Sequence, residues 1–132
     1  MVELREITQE NYEECLSLKV AEHQKNFVSS TVHSLAQAWV SYHTAYPFAI
    51  YAEGRMVGFL MLGYYELKDQ YTLWKFMIDE RYQKRGYGRE ALGLGLEYLI
   101  DRFGAKEVYT AYLEGNRVAR ELYASFGFRE TG

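Results

Sequence analysis

Residues 71–88 read Tyr-Thr-Leu-Trp-Lys-Phe-Met-Ile, then Asp-Glu-Arg-Tyr-Gln-Lys-Arg-Gly-Tyr-Gly. The first eight are dominated by aromatic and β-branched side chains and predict a strand over 71–78. The next ten are polar and carry two glycines, so they predict a loop. From Ala91 the apolar residues fall at helical spacing, with Ala91, Leu92, Leu94, Gly95, Leu96, Leu99 and Ile100 turned inward and Gly104 placed to end the helix. A strand feeding a helix through Gln83-Lys84-Arg85-Gly86-Tyr87-Gly88-Arg89 has the makings of an anion site. The first N–H groups of a helix lack internal partners, and the helix dipole adds partial positive charge there. Glycines let a phosphate approach the backbone, and Lys84, Arg85 and Arg89 add side-chain charge. A pyrophosphate fits such a loop. The same loop alone reads equally as a solvated helix cap. It is not a P-loop, because G-x-x-x-x-G-K-[ST] is absent, nor G-x-G-x-x-G, because position 91 is Ala.

Outward from this stretch, 48–52 and 56–63 predict a hairpin turned at Glu53-Gly54-Arg55. Residues 2–7 alternate as a half-buried strand. Thr8 offers an N-cap for a helix over about 10–20, and Ser34 one for a second helix whose face carries Leu35, Ala38, Trp39 and Tyr42. Pro47 closes that region. Residues 106–112 predict a strand, 116–125 a short helix, and Phe126-Gly127-Phe128 the start of a further strand. The order is βααβββαβαβ, a single α/β domain over 1–132, with parallel neighbours among the later strands.

Composition narrows the function. Hydrophobic residues make up 48% of 132 residues, enough for a core. Aromatics reach 17%, with 13 Tyr, which suits a cleft both apolar and partly wet. A net charge of −3 with no basic run argues against nucleic acid and suits a cationic substrate. Cys15 is the one cysteine, so no internal disulfide is possible; beside Tyr12 and Leu16 it reads as a small buried hydrophobe. The first ten residues are neither a signal peptide nor an anchor, and no apolar run nears the ~20 residues of a membrane span. A cytoplasmic location is expected. His23, His33 and His43 show no metal-ligand spacing, and no metal is expected.

A second motif lies downstream: Asn116, Ala119, Leu122, Tyr123, Phe126, Gly127 and Phe128 spell N-x-x-A-x-x-L-Y-x-x-F-G-F. Together with Gln83–Arg89 some thirty residues earlier, it resembles the paired motifs of the GNAT superfamily of N-acetyltransferases over nearly the whole chain. The resemblance implies a mixed, mostly antiparallel twisted sheet flanked by helices, with acetyl-coenzyme A as co-substrate. It implies that Gln83, Lys84, Arg85, Gly86, Tyr87, Gly88 and Arg89 hold the pyrophosphate, and that the backbone of Phe76, Met77 and Ile78 pairs with the pantetheine amides. Strands 71–78 and 106–112 would splay apart, with Asn116 and Ala119 along the slot. Tyr123 would be the general acid, since a phenol with an ordinary pKa near 10 stays protonated at neutral pH and can donate to a leaving thiolate. A backbone N–H near Met77 would polarise the thioester carbonyl.

Some relatives carry a carboxylate base within the strand before the loop. Here Trp74 and Lys75 occupy that place, so Glu22, Glu66, Asp69 or an ordered water are the candidates. The stretch from Val20 to Val28 and that from Trp74 to Gly86 resemble bacterial spermine/spermidine acetyltransferases. Glu22, Trp39, Glu66, Asp69 and Trp74, with Tyr42, Tyr64 and Tyr65, offer the carboxylates and ring faces a polyamine would need. Another small amine, an aminoglycoside or a protein amine remains open, as does an acetyl-coenzyme A sensor. Relatives continue past the position of Gly132 into a final strand. The expectation is therefore a longer gene product, or a homodimer covering the sheet edge.

Overall fold

The computed structural model describes residues 1–25, 30–111 and 116–130. Expectations for Phe27, Val28, Tyr112 and the His23 side chain fall outside the described residues. Five strands, β1 (Val2–Glu6), β2 (Ala45–Ala52), β3 (Arg55–Tyr65), β4 (Gln70–Ile78) and β5 (Val108–Thr110), form one sheet in chain order. The helices are α1 (Tyr12–Leu16), α2 (Thr31–Val40), α3 (Tyr87–Phe103) and α4 (Arg117–Ser125). The first three pairings are antiparallel and β4–β5 is parallel, so the sheet is mixed as the resemblance implies. None of the described helices is long and apolar enough to cross a membrane.

The β2–β3 turn has two residues, Glu53 and Gly54, both at positive φ (53° and 79°). That is the turn whose twist matches a right-handed hairpin. Pro47 does not close the region ahead of β2; it lies inside the strand, opposite Met61. The β1 pairing ends at Phe48, so Pro47 has only β3 as a neighbour, and its missing N–H breaks no second ladder.

A register shift in β3–β4 leaves Trp74 as an extra residue between the pairs Leu62↔Leu73 and Met61↔Lys75. Such a bulge reverses which side chains face each way. Before it Tyr71 and Leu73 point toward α3, and after it Phe76 and Ile78 do. On that face Leu60, Leu62 and Leu73 pack against Ala91, Leu92 and Leu99. On the opposite face Phe59, Met61, Met77 and Trp74 pack with Cys15, Leu18 and Ala38. Each fully buried aliphatic side chain contributes about 1.5–3 kcal/mol over its exposed state. Cys15 is fully buried, and burial pushes its thiol up to about 11, as a packing residue requires.

Three expectations are corrected. The first helix stops at Leu16 because the Lys19 N–H and carbonyl are taken by β4–α3 connection atoms, Asp79 Oδ2 (2.9 Å) and the Glu80 N–H (2.7 Å). Its N-cap is Asn11 rather than Thr8, and the Asn11 Oδ1 accepts from the Thr8 N–H at 2.7 Å. The second helix is capped by Ser30, whose Oγ accepts from His33 N at 3.1 Å; Ser34 lies inside the helix and is buried. Residues 126–128 form no strand. The Gly127 N–H bonds the Ala124 carbonyl (3.0 Å) and the Phe128 N–H the Tyr123 carbonyl (3.2 Å), with Gly127 at φ 89°. This doubly bonded helix stop consumes the donors a strand would have used.

Candidate active site

The β4–β5 pairing covers three positions and ends at Leu73↔Thr110. Past that point β4 continues through Trp74–Ile78 with β3 on one side and, among the described residues, no strand on the other. A cleft of about 540 Å³ opens there, bounded by this strip of β4, the N-terminus of α3 and the start of α4. Among the described residues the two strands pair no further, which is where the slot is expected; residues 112–115 lie outside them.

At the far end of the strip α3 begins on Gly86, which adopts φ 84° and offers no side-chain cap to the first N–H groups. A Cβ there would meet nothing within 4 Å, so the φ, rather than crowding, calls for glycine. Lys84, Gly86, Tyr87, Gly88 and Arg89 line the cleft. The donor-rich, positively charged end and the strip of β4 that no described strand covers fit a phosphate-bearing co-substrate with an amide-containing arm. Arg85 is the one expected loop residue that does not line the cleft; its guanidinium lies 5.6 Å from the centre of the Tyr82 ring. Gln83 lines it, yet its amide is turned to the protein, donating to Gln24 Oε1 and the Ile78 carbonyl, both at 2.8 Å.

The loop is tied down by a residue the sequence did not single out. Asp79 is 2% exposed and accepts from Lys19 N (2.9 Å), Arg81 N (3.0 Å) and Arg81 Nε (2.9 Å). Burial pushes its carboxyl up, but the Arg81 and Lys19 hydrogen bonds outweigh it and the group titrates below its ordinary value. Its bonds to Arg81 are local, but nothing local shows that it also reaches the segment after α1, because Lys19 lies sixty residues upstream.

Tyr123 is 7% exposed and lines the cleft from α4, beside Ala119 and Asn116. Phe128 packs on its ring at 5.7 Å, brought there by the helix stop. Burial raises its phenol above the ordinary value, and a hydrogen bond with Thr110 works the other way. Thr110 Oγ1 donates to the Leu73 carbonyl at 3.2 Å. Asn116 caps α4, its Oδ1 accepting from Ala119 N at 3.3 Å.

Of the residues expected to hold the amine, Trp74 alone lines the cleft. Trp39 is 75% exposed and stacks on Tyr42 at the surface, because the buried stripe of α2 is Thr31, Ser34 and Ala38. Glu22 pairs with Lys25 at 2.8 Å in solvent. Glu66 and Asp69 sit in the β3–β4 turn, where Asp69 accepts from the Tyr64 hydroxyl at 2.5 Å and helps push that phenol up to about 12. No described Asp or Glu lines the cleft, whereas Lys75 does, its ammonium drawn below the ordinary value by burial. Ser34 and Gln24 also line it and escaped the sequence reading.

Comparison with known proteins bears on this geometry. The acetyltransferase (GNAT) family model matches residues 1–128. The spermine/spermidine N(1)-acetyltransferase of Bacillus subtilis is 32% identical over 137 residues, spanning 99% of this chain and 90% of its own. The ribosomal protein bS18-alanine N-acetyltransferase of Salmonella typhimurium is 37% identical over 82 residues, covering 60% of this chain and 51% of its own. Among solved structures, the spermidine N-acetyltransferase of Vibrio cholerae in complex with CoA and spermine superposes with a TM-score of 0.80 at 17% identity. That match covers 99% of this chain and 82% of the other. A dodecameric structure of spermidine N-acetyltransferase from Vibrio cholerae gives 0.75, at 17% identity over 99% and 81%.

Proposed function

The chain belongs to the GNAT family of acetyltransferases, and we propose that it moves the acetyl group of acetyl-coenzyme A to a primary amine of a polyamine such as spermine or spermidine. The observation that carries the reading is the cleft that opens where the described pairing of β4 with β5 ends, at Leu73 and Thr110. It runs from buried Tyr123 to the uncapped start of α3.

The bound thioester supplies an activated acyl carbon and a thiol leaving group. The residues of the chain do the rest. Uncapped N–H groups of α3, with Lys84 and Arg89, hold the phosphates. The edge of Phe76–Ile78 pairs with the amide arm, and an N–H near Met77 polarises the carbonyl. The amine nitrogen attacks as the free base, and water carries its proton away, since the cleft offers no described carboxylate. Tyr123 gives its proton to the departing sulfur. Burial, which raises the phenol, keeps that proton in place at neutral pH.

The polyamine assignment is supported by the Bacillus subtilis relative. A second reading, an amine of lower charge such as a peptide N-terminus, is favoured by Lys75 in the cleft and the positions of Glu22, Glu66 and Asp69 outside it. The homodimer remains our proposal, supported by the single-sided pairing of β5 among the described residues; light scattering that reads a monomer rejects it. Thiol release from acetyl-coenzyme A against spermine, spermidine, putrescine, aminoglycosides and short peptides tests the function. Release with a polyamine is expected. Release with peptides alone selects the second reading, and silence across the panel with coenzyme binding intact rejects both.

A further inference from the structure

The cleft is lined from both faces of the sheet. Phe76, Tyr87 and Tyr123 pack with the cluster on the α3 face, while Val20, Trp74 and Met77 pack with the cluster on the α1–α2 face. The uncapped start of α3 puts the phosphates on the first face, so the amine comes from the second, where Gln24 and Ser34 extend the wall begun by Val20. A side-chain hydrogen bond joins that wall to the coenzyme loop: Gln83 Nε2 donates to Gln24 Oε1 at 2.8 Å. Both amides have a fixed sense. The Ala21 N–H, 3.1 Å from Gln24 Oε1, can only donate, and the Ile78 carbonyl, 2.8 Å from Gln83 Nε2, can only accept. That carbonyl shares a trans peptide with the Asp79 N–H, which bonds the Val57 carbonyl beside β3 at 2.8 Å, so it faces the open side of β4. Gln83 thus closes the strip of β4 at its loop end and reaches the opposite wall.

We propose that Gln24 and Gln83 are positioning residues that fix the amine-side wall against the coenzyme loop, and that the Gln83 side chain serves this joint rather than the phosphates. The inference rests on the reading of the cleft as a site where acetyl-coenzyme A meets an amine. Lys19 is already held to the loop by Asp79 and Glu80. Gln24 lies further on, in a single turn over Glu22–Gln24, where Glu22 and Lys25 pair in solvent. The bond to Gln83 seats this turn on the loop. A neutral amide–amide bond is directional, so its removal lets the turn drift while the loop keeps its own anchors. The groups facing the phosphates, the first N–H groups of α3 with Lys84 and Arg89, do not depend on it. The amine-side wall does, and a small misplacement there shifts the amine from its line of attack on the acyl carbon.

The test compares wild type, Gln24→Ala, Gln24→Glu, Gln83→Ala and the double variant Gln24→Ala/Gln83→Ala. Thiol release with spermine, or with the amine of the panel above that wild type turns over best, gives KM and kcat; calorimetry gives acetyl-coenzyme A affinity. Gln24→Ala is expected to raise KM for the amine by roughly three- to ten-fold, the worth of one neutral hydrogen bond, with acetyl-coenzyme A affinity near wild type. Gln83→Ala does the same, although it leaves the Ala21 bond intact, and the double variant is no worse than either single one. Gln24→Glu, whose carboxylate accepts from both donors, keeps KM for the amine at or below wild type. A loss of acetyl-coenzyme A affinity of about ten-fold in Gln83→Ala makes that residue a phosphate ligand and overturns the inference. Additive losses in the double variant, failure of Glu to rescue, or an unchanged KM for the amine overturn it too, and each leaves the proposed function standing. A wild type silent with every amine overturns both.

Discussion

Asp79→Ala removes the acceptor that holds the start of the α3 loop to the segment after α1. Two backbone N–H groups, those of Lys19 and Arg81, lose their partner in a site where the side chain is 2% exposed. A fully buried orphaned donor costs about 1–3 kcal/mol, and these two, part-buried, fall toward the lower half of that range. The Arg81 guanidinium is 62% exposed and returns to water, adding little. Water entering the vacated space and relief of the carboxylate's burial offset part of this, leaving about 2 kcal/mol. At about 4 °C per kcal/mol for a domain of this size, the melting temperature should fall by roughly 8 °C. Thermal unfolding followed by circular dichroism reads it directly. The folded carboxyl titrates below its ordinary value of 3.8, so its stabilisation is intact above that pH and is lost as pH falls through the folded value. The gap between wild type and variant should therefore close in acid. A melting temperature within 2 °C of wild type (about 0.5 kcal/mol) at neutral pH would refute the anchoring role.

Gly86→Asp forces a side chain into φ 84° and sets a negative charge at the uncapped start of α3. Acetyl-coenzyme A binding, measured by calorimetry, should be lost while the fold survives. Gly58→Ala would drive a Cβ into the Met77 carbonyl oxygen across the β3–β4 ladder, well inside van der Waals contact. A cost of about 1–3 kcal/mol is expected, with a raised KM for acetyl-coenzyme A as the cleft-lining end of β4 shifts. Trp39→Ala should leave KM for the amine unchanged, since its ring stacks on Tyr42 at the surface; a rise of ten-fold would return α2 to the substrate site.

The sequence disclosed what is written locally. Alternation marked β1, aromatic and β-branched content marked β4, Glu53-Gly54-Arg55 marked the hairpin, and Gly104 marked the end of α3. Twelve of the thirteen residues expected around the coenzyme line the cleft, all but Arg85, because loop, strand and helix follow one another in the chain. What failed depended on distant partners. The first helix reads as continuous to Val20, yet Asp79 claims the Lys19 N–H. Trp39 shares a nominal stripe with Ala38, but a helix turns 100° per residue and the sheet meets the side that bears Ser34. Phe126-Gly127-Phe128 looks like a strand until Gly127 is seen at positive φ. Glu22, Glu66 and Asp69 were grouped by charge, and charge does not say which end of a hairpin faces a cleft.

The order of the strands across the sheet is also their order along the chain. β2, β3 and β4 meet through short reversals, so they can zip together early with little loop entropy to overcome. β5 must wait for α3 to form and cross over, and it then gains three paired positions. The β5 side of the cleft should thus be the last to arrive and the first to open. Amide hydrogen exchange should trace that hierarchy, slow in β3 and fast in β5. Occupancy of the slot should slow exchange most in the strand that pairs least, so that binding completes the folding of the enzyme.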